Sequence, residues 1–150
     1  MNSSWEKNGG PMKKLYVRSC YVSILDKILG HKTHVLLRGT PGIGKSAFMF
    51  YLVYYLAQRP CNVSICLTYL VQETSQSWYL LRKDGVVSIA ASLEGKPDYY
   101  FSDSVDIEGA GTANELTMLF ASIKEKHFQT FWKVKQTQPR SWGIYLPLVE

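Results

Sequence analysis

Cysteine, histidine and long apolar runs are all scarce in this 150-residue chain, and each shortage closes off a class of protein. The three cysteines, Cys20, Cys61 and Cys66, are odd in number and form no Cys-x-x-Cys pair. They argue against a disulfide-stapled scaffold and for free thiols in a reducing, intracellular compartment. The three histidines, His31, His34 and His127, lack metal-ligand spacing. No uninterrupted apolar stretch reaches the roughly 18 residues of a membrane span. The longest, Ala47 to Ala57, suits a buried helix. Met1 to Gly10 is polar and lacks the apolar centre of a signal peptide. Repeats, low-complexity tracts and an internal domain boundary are also absent. With 46% hydrophobic and 19% charged residues, the chain has the material for one buried core. Its net charge of +5 fits an anionic ligand or a nucleic-acid neighbour, and equally an ordinary solvated surface.

One motif stands out. Gly39 to Ser46 reads Gly-Thr-Pro-Gly-Ile-Gly-Lys-Ser, a full G-x-x-x-x-G-K-[ST] phosphate-binding loop, or P-loop. Thr33 to Arg38 before it suits a short buried strand, and Ala47 to Leu56 after it suits a buried helix. Strand, glycine-rich turn and helix form the context the motif requires. Such a loop aims successive backbone N–H groups inward as an anion nest. Gly39 and Gly44 allow close backbone approach, and Pro41 has no N–H, so the donors are expected from Gly42 through Ala47. The helix start adds its partial positive charge. The expected ligand set is Gly39, Thr40, Pro41, Gly42, Ile43, Gly44, Lys45, Ser46 and Ala47. Lys45 is expected at the β- and γ-phosphates and Ser46 at Mg²⁺.

The rest of the chain reads as alternating helices and strands. Met1 to Lys14 is expected to be a flexible leader, and residues 15–150 one P-loop domain. Leu15 to Leu29 carries apolar residues at helical spacing, with Gly30 as a stop. The helix after the loop is expected to end near Arg59 and Pro60. Asn62 to Val71 reads as a buried strand. Ser77 to Arg82 and Val86 to Ala90 flank an Asp84-Gly85 turn and read as a hairpin. Asp98 to Asp103 and Leu116 to Ser122 read as strands, with a loop from Glu108 to Asn114 between them. Lys124 to Lys135 reads as a helix, and Trp142 to Val149 as extended. The fold class is therefore α/β, a P-loop NTPase-like parallel sheet flanked by helices, with a β-hairpin insertion.

A metal-dependent nucleotide site also needs an acid at a neighbouring strand end. Asp103, after Tyr99-Tyr100-Phe101-Ser102, is the candidate, as catalytic group and Mg²⁺ ligand; a strand-end Asp also caps turns. Many ATPases place a second acid directly after this one, where Ser104 stands here. Ser122, ending the next strand, is a candidate γ-phosphate sensor or a simple turn residue. Arg140 is a candidate arginine finger. Lys124, Lys126, Lys133 and Lys135 with Trp132 form either a nucleic-acid-binding face or a solvated one. No Asn-Lys-x-Asp guanine-reading run is present, which favours ATP over GTP.

These residues resemble the NTPase module of Crinkler-type effectors and of the retrotransposon hot spot proteins. The resemblance spans about Leu15 to Glu150. It rests on Arg18-x-x-Tyr21, on the specific loop, on Phe48 or Phe50 with Tyr51 or Tyr54 on the helix, and on Asp103. It continues through Ser122-Ile123, the aromatic and lysine-rich stretch Phe128, Phe131, Trp132 and Lys133, and the apolar run near Trp142 to Pro147. It implies a STAND- or AAA-like ATPase module that uses ATP and Mg²⁺. It also implies a switch or motor role in an effector-like protein, in a nucleus or a host cell, beside an effector domain or nucleic acid. The Crinkler N-terminal translocation module is missing, and the chain stops before a helical lid, so a truncated module is expected. Mg²⁺-dependent ATP binding with slow hydrolysis is the leading expectation. A degenerate, non-catalytic interaction module is the alternative, and a small P-loop kinase would need an arginine-rich lid that the sequence lacks.

Overall fold

The computed structural model describes residues 16–40, 42–71, 73–82, 85–89, 96–104, 113–122 and 128–147. Helix α1 (Ser19–Ile28) buries Tyr21, Ile24, Leu25 and Ile28, the stripe that a 3.6-residue repeat places on one face. Leu29 closes it by donating to the Leu25 carbonyl, and Gly30 follows at φ 76, a left-handed stop. Strand β1 (His34–Arg38) leads into the glycine-rich loop, and α2 (Lys45–Ala57) leaves it. Then come β2 (Val63–Val71), β3 (Glu73–Arg82), β4 (Gly85–Ile89), β5 (Tyr99–Asp103), β6 (Leu116–Ala121), α3 (Gln129–Lys135) and β7 (Ser141–Tyr145).

The strands form one seven-stranded sheet in the order β4-β3-β2-β5-β6-β1-β7. The five from β2 to β7 in that order are all parallel. Parallel strands need cover on both faces, and alternate residues along β1 supply the two faces. Val35 and Leu37 join α1, α2 and Phe120 in the main core. Leu36 joins Leu119, Ala121, Phe128 and Phe131 of the α3 side. β6, buried at every position, sits inside the sheet between β5 and β1. Phe48 of α2 stacks on Tyr21 at 5.0 Å and meets Phe120 edge-on at 6.2 Å, which locks α1 and α2 onto the sheet.

Register then aligns the strand ends. Arg38 lies opposite Ala121 and Tyr145, and Asp103 lies opposite Phe120. The loops that leave β1, β5, β6 and β7 therefore emerge along one edge of the sheet, where open α/β sheets bind their ligands.

The expected hairpin forms with a longer first arm, and one expected helix is shorter. β3 begins at Glu73 and pairs with β2 from Val63↔Leu81 to Val71↔Glu73. β3 and β4 pair antiparallel as the expected hairpin, from Trp78↔Ile89 to Arg82↔Gly85, and with β2 they form a meander at the sheet edge. Gly85 pairs with Arg82 at the closed end of the hairpin and opens β4; Lys83 and Asp84 lie outside the described residues. The helix expected over Lys124 to Lys135 spans Gln129–Lys135, with Ile123 to His127 outside the described residues. The leader, most of the Glu108 to Asn114 loop and Leu148 to Glu150 also lie outside them.

Candidate functional site

The loop between β1 and α2 is built by two glycines in conformations that L side chains resist. Gly42 has φ 81 and Gly44 has φ 102, the latter as N-cap of α2. Gly39 donates to the Ala121 carbonyl at 3.2 Å, which stitches the loop entrance to the end of β6. A Cβ on Gly39 would stand 2.8 Å from Ile43 Cγ2, so the loop folds tightly back on itself.

Lys45, only 9% exposed, donates to the carbonyls of Gly39 at 2.8 Å and Thr40 at 3.0 Å. An ammonium has three N–H bonds, so one remains for the cavity that Lys45 lines. Burial pushes its pKa below the ordinary lysine value, and the Asp103 carboxylate opposes that shift. Phe48 is the first α2 residue whose N–H closes on a loop carbonyl, that of Gly44 at 3.0 Å. The amides of Lys45, Ser46 and Ala47 therefore precede the helix's own hydrogen-bond ladder. No acidic residue stands in the first turn of α2 to compete for them.

Across β6, the Ser46 hydroxyl donates to Asp103 Oδ2 at 2.6 Å. Such a short O–H···O⁻ distance marks a charge-assisted bond. Ser104 has φ 63, donates its N–H to the Phe120 carbonyl at 2.8 Å, and its hydroxyl to Asp103 Oδ1 at 3.2 Å. Both oxygens of Asp103 are thus oriented from outside the carboxylate.

These groups surround one cavity of about 510 Å³. Gly42, Gly44, Lys45, Ser46 and Ala47 form one wall, and Asp103, Ser104 and Ser122 the other. Residues expected from three separate stretches of sequence therefore meet at one place. Gly39 and Thr40 take a different part from the expected one, since their carbonyls anchor Lys45. Ile43 packs against the main core, and its N–H turns back to the Thr40 carbonyl at 3.3 Å. Pro41 lies outside the described residues.

Asp103 is the sole acid on the cavity wall among the described residues, and no cluster of three or more His, Cys, Asp or Glu side chains able to hold a metal exists among them. The donor set is one hydroxyl and one carboxylate, all oxygen. It fits Mg²⁺, which keeps most of its water and binds through one or two protein oxygens plus phosphate.

Other candidates do not converge here. Arg140 precedes β7 at the opposite edge of the sheet, where its guanidinium donates to the carbonyls of His31 and Gly30 at 3.0 and 3.1 Å. A continuous Lys-Trp face on α3 is also absent. Lys135 is 1% exposed, and the Trp132 ring lies over Gly143, where a Cβ would meet it at 3.0 Å. Lys124 and Lys126 lie outside the described residues.

Two loop contacts were not legible as such in the sequence. Arg18 Nη1 donates to the Ile43 carbonyl and Tyr21 Oη to the Gly44 carbonyl, both at 2.9 Å. Their only sequence signal is the three-residue spacing at the start of a helix.

No protein-family model, curated protein or solved structure matches this chain. No helix among the described residues is long and apolar enough to cross a membrane.

Proposed function

We propose that the chain binds Mg²⁺·ATP at this cavity and works as a slow nucleotide switch of the P-loop NTPase class. The observation that carries the reading is the 2.6 Å Ser46–Asp103 hydrogen bond, made across an intervening strand beside the buried Lys45. A turn-capping Asp has no reason to reach a hydroxyl on the first turn of a distant helix. A metal site does, because the carboxylate orients the hydroxyl lone pairs toward the ion. In this reading the amides of the α2 N-terminus receive the phosphates, with the third N–H of Lys45 at the β- and γ-positions. Ser46 holds Mg²⁺, and Asp103 holds Ser46 and a metal-bound water. The ion, when bound, neutralises charge on the phosphate oxygens.

Hydrolysis is slow in this reading for two stated reasons. Ser104 occupies the place of a second acid, and no arginine lines the cavity among the described residues. An arginine supplied to such a site is worth about 10³–10⁵ in rate. The residues that carry the Crinkler-type and retrotransposon hot spot resemblance, Arg18, Tyr21, Lys45 and Asp103, all belong to or brace this site. On that footing the module serves inside an effector-like protein, where a partner segment supplies the missing charge, and a nuclear or host-cell location follows.

Calorimetry with Mg²⁺·ATP tests the binding step. The wild type is expected to bind, and Lys45→Ala to bind at least about 30-fold more weakly, since losing one partner of a buried charged contact costs about 2–5 kcal/mol. Equal affinities would overturn the reading. The serine at position 104 also supports the alternative of a non-hydrolysing interaction module. Phosphate release measured under saturating ATP separates the two.

A further inference from the structure

The phosphate loop is gripped from behind by the first turn of α1. Arg18 spans two carbonyls, donating through Nη1 to Ile43 at 2.9 Å and through Nη2 to Pro147 beyond the end of β7. Tyr21, 1% exposed and stacked on Phe48, donates its hydroxyl to the Gly44 carbonyl at 2.9 Å. The missing side chain of Gly44 makes this approach feasible. A Cβ there would stand 2.5 Å from Tyr21 Oη and 3.9 Å from Arg18 Nη1.

A trans peptide points its C=O and the following N–H in opposite directions. Pinning the Ile43 carbonyl toward α1 therefore turns the Gly44 N–H away from α1. Pinning the Gly44 carbonyl does the same to the Lys45 N–H. Gly44 and Lys45 both line the cavity, and neither Arg18 nor Tyr21 is part of its lining. We infer that Arg18 and Tyr21 are positioning residues that preset the amide nest of the loop, and that Arg18 ties the nest to the chain leaving β7. Movement at Pro147 would then reach the nucleotide site through one guanidinium. The inference rests on the nucleotide reading above for its function, and on the hydrogen bonds alone for its geometry.

The test uses Tyr21→Phe and Arg18→Gln in the full chain, with Arg18→Lys as the conservative variant. Three quantities are read: Mg²⁺·ATP affinity, amide hydrogen exchange without nucleotide, and thermal midpoint without nucleotide. Tyr21→Phe keeps the ring and removes only the hydroxyl. It is expected to weaken binding by about 2- to 13-fold, the value of one neutral hydrogen bond. Arg18→Gln is expected to weaken it about tenfold or more, because the lost bonds are charged. Arg18→Lys, with one point donor in place of a fork, should fall between wild type and Arg18→Gln. Exchange at the Ile43 and Phe48 amides, which donate to the Thr40 and Gly44 carbonyls, should accelerate in the variants while exchange across Leu116–Ala121 stays unchanged. In Arg18→Gln the acceleration should extend to the Leu146 amide. Unchanged affinity and unchanged exchange at positions 43 and 48 would overturn the inference. Equal acceleration in the loop and in β6 would also overturn it, since that marks a general loss of stability. A wild type that binds no nucleotide sinks the functional reading, whereas exchange at 43 and 48 still decides the brace.

Discussion

Alanine at position 44 meets an obstacle that alanine at position 42 does not. Both glycines have positive φ, 81 for Gly42 and 102 for Gly44. Forcing an L side chain into such a conformation costs about 1–3 kcal/mol. Part of that, about 0.4–1 kcal/mol, returns because alanine has less freedom to lose from the unfolded chain. At Gly42 an added Cβ meets nothing within 4 Å, so only this backbone balance applies, at most about 2.6 kcal/mol. At Gly44 the Cβ lands 2.5 Å from Tyr21 Oη, and Tyr21 is fixed by burial and by its stack on Phe48. The hydroxyl must leave the Gly44 carbonyl, forfeiting about 0.5–1.5 kcal/mol. Crowding in a packed region adds about 1–3 kcal/mol. Gly44→Ala is therefore expected to destabilise by about 1.5–7 kcal/mol, exceeding Gly42→Ala by the roughly 1.5–4.5 kcal/mol of the lost hydrogen bond and the crowding. Urea denaturation of the two variants reads the difference directly. Adding Tyr21→Phe to Gly44→Ala removes the clashing oxygen and should recover about 1–3 kcal/mol, a coupling visible in a double-mutant cycle. Equal destabilisation by the two alanines, or no coupling to Tyr21, would refute the close approach on which the brace depends.

Asp103→Asn keeps the shape and an acceptor for Ser46 but removes the charge; it should abolish most of the Mg²⁺ dependence of ATP binding, and an unchanged metal titration would move the metal role to another residue. Gly143→Ala places a Cβ 3.0 Å from Trp132 Cζ2 and should cost about 1–3 kcal/mol in denaturation, with nucleotide affinity unaffected because the contact lies away from the cavity. His34 is held below its ordinary pKa of 6.5, first by burial and second by the Lys135 ammonium on α3. The unfolded chain then takes up the proton first, so stability should fall as pH drops from about 6.5 toward the lower folded value. His34→Gln should flatten that part of a thermal-midpoint profile, and a slope that persists in the variant would assign the titration elsewhere.

The parts legible in the sequence are those that local chemistry dictates. The motif marked Gly39 and Gly44, a cation at 45 and a hydroxyl at 46 within eight consecutive residues, whereas the positive φ of Gly42 came only from the structure. The apolar run over Leu116 to Ala121 announced a strand covered on both faces, and β6 is buried throughout. An acid ending an aromatic strand pointed to Asp103, which meets Ser46. Expectations failed where the deciding partner was distant. Arg140 was a candidate only as the last arginine, on a loop, and the parallel direction of β7 put it at the far edge, on the His31 and Gly30 carbonyls. Lys135 carried the mark of a solvated helix face, yet α3 lies on the sheet so that this side chain is covered.

By itself, then, the sequence determined the strand, the curled loop and the helix that follows, because backbone angles and helix-end amides are set by neighbouring residues. It also determined which residue types were equipped to meet a phosphate and a metal. Only the tertiary structure decided that β6 lies between β1 and β5, that Asp103 reaches Ser46 across it, and that Arg18 and Tyr21 hold the loop from behind. Strand order and helix docking depend on contacts between segments far apart in the chain, and no local pattern of residues encodes them.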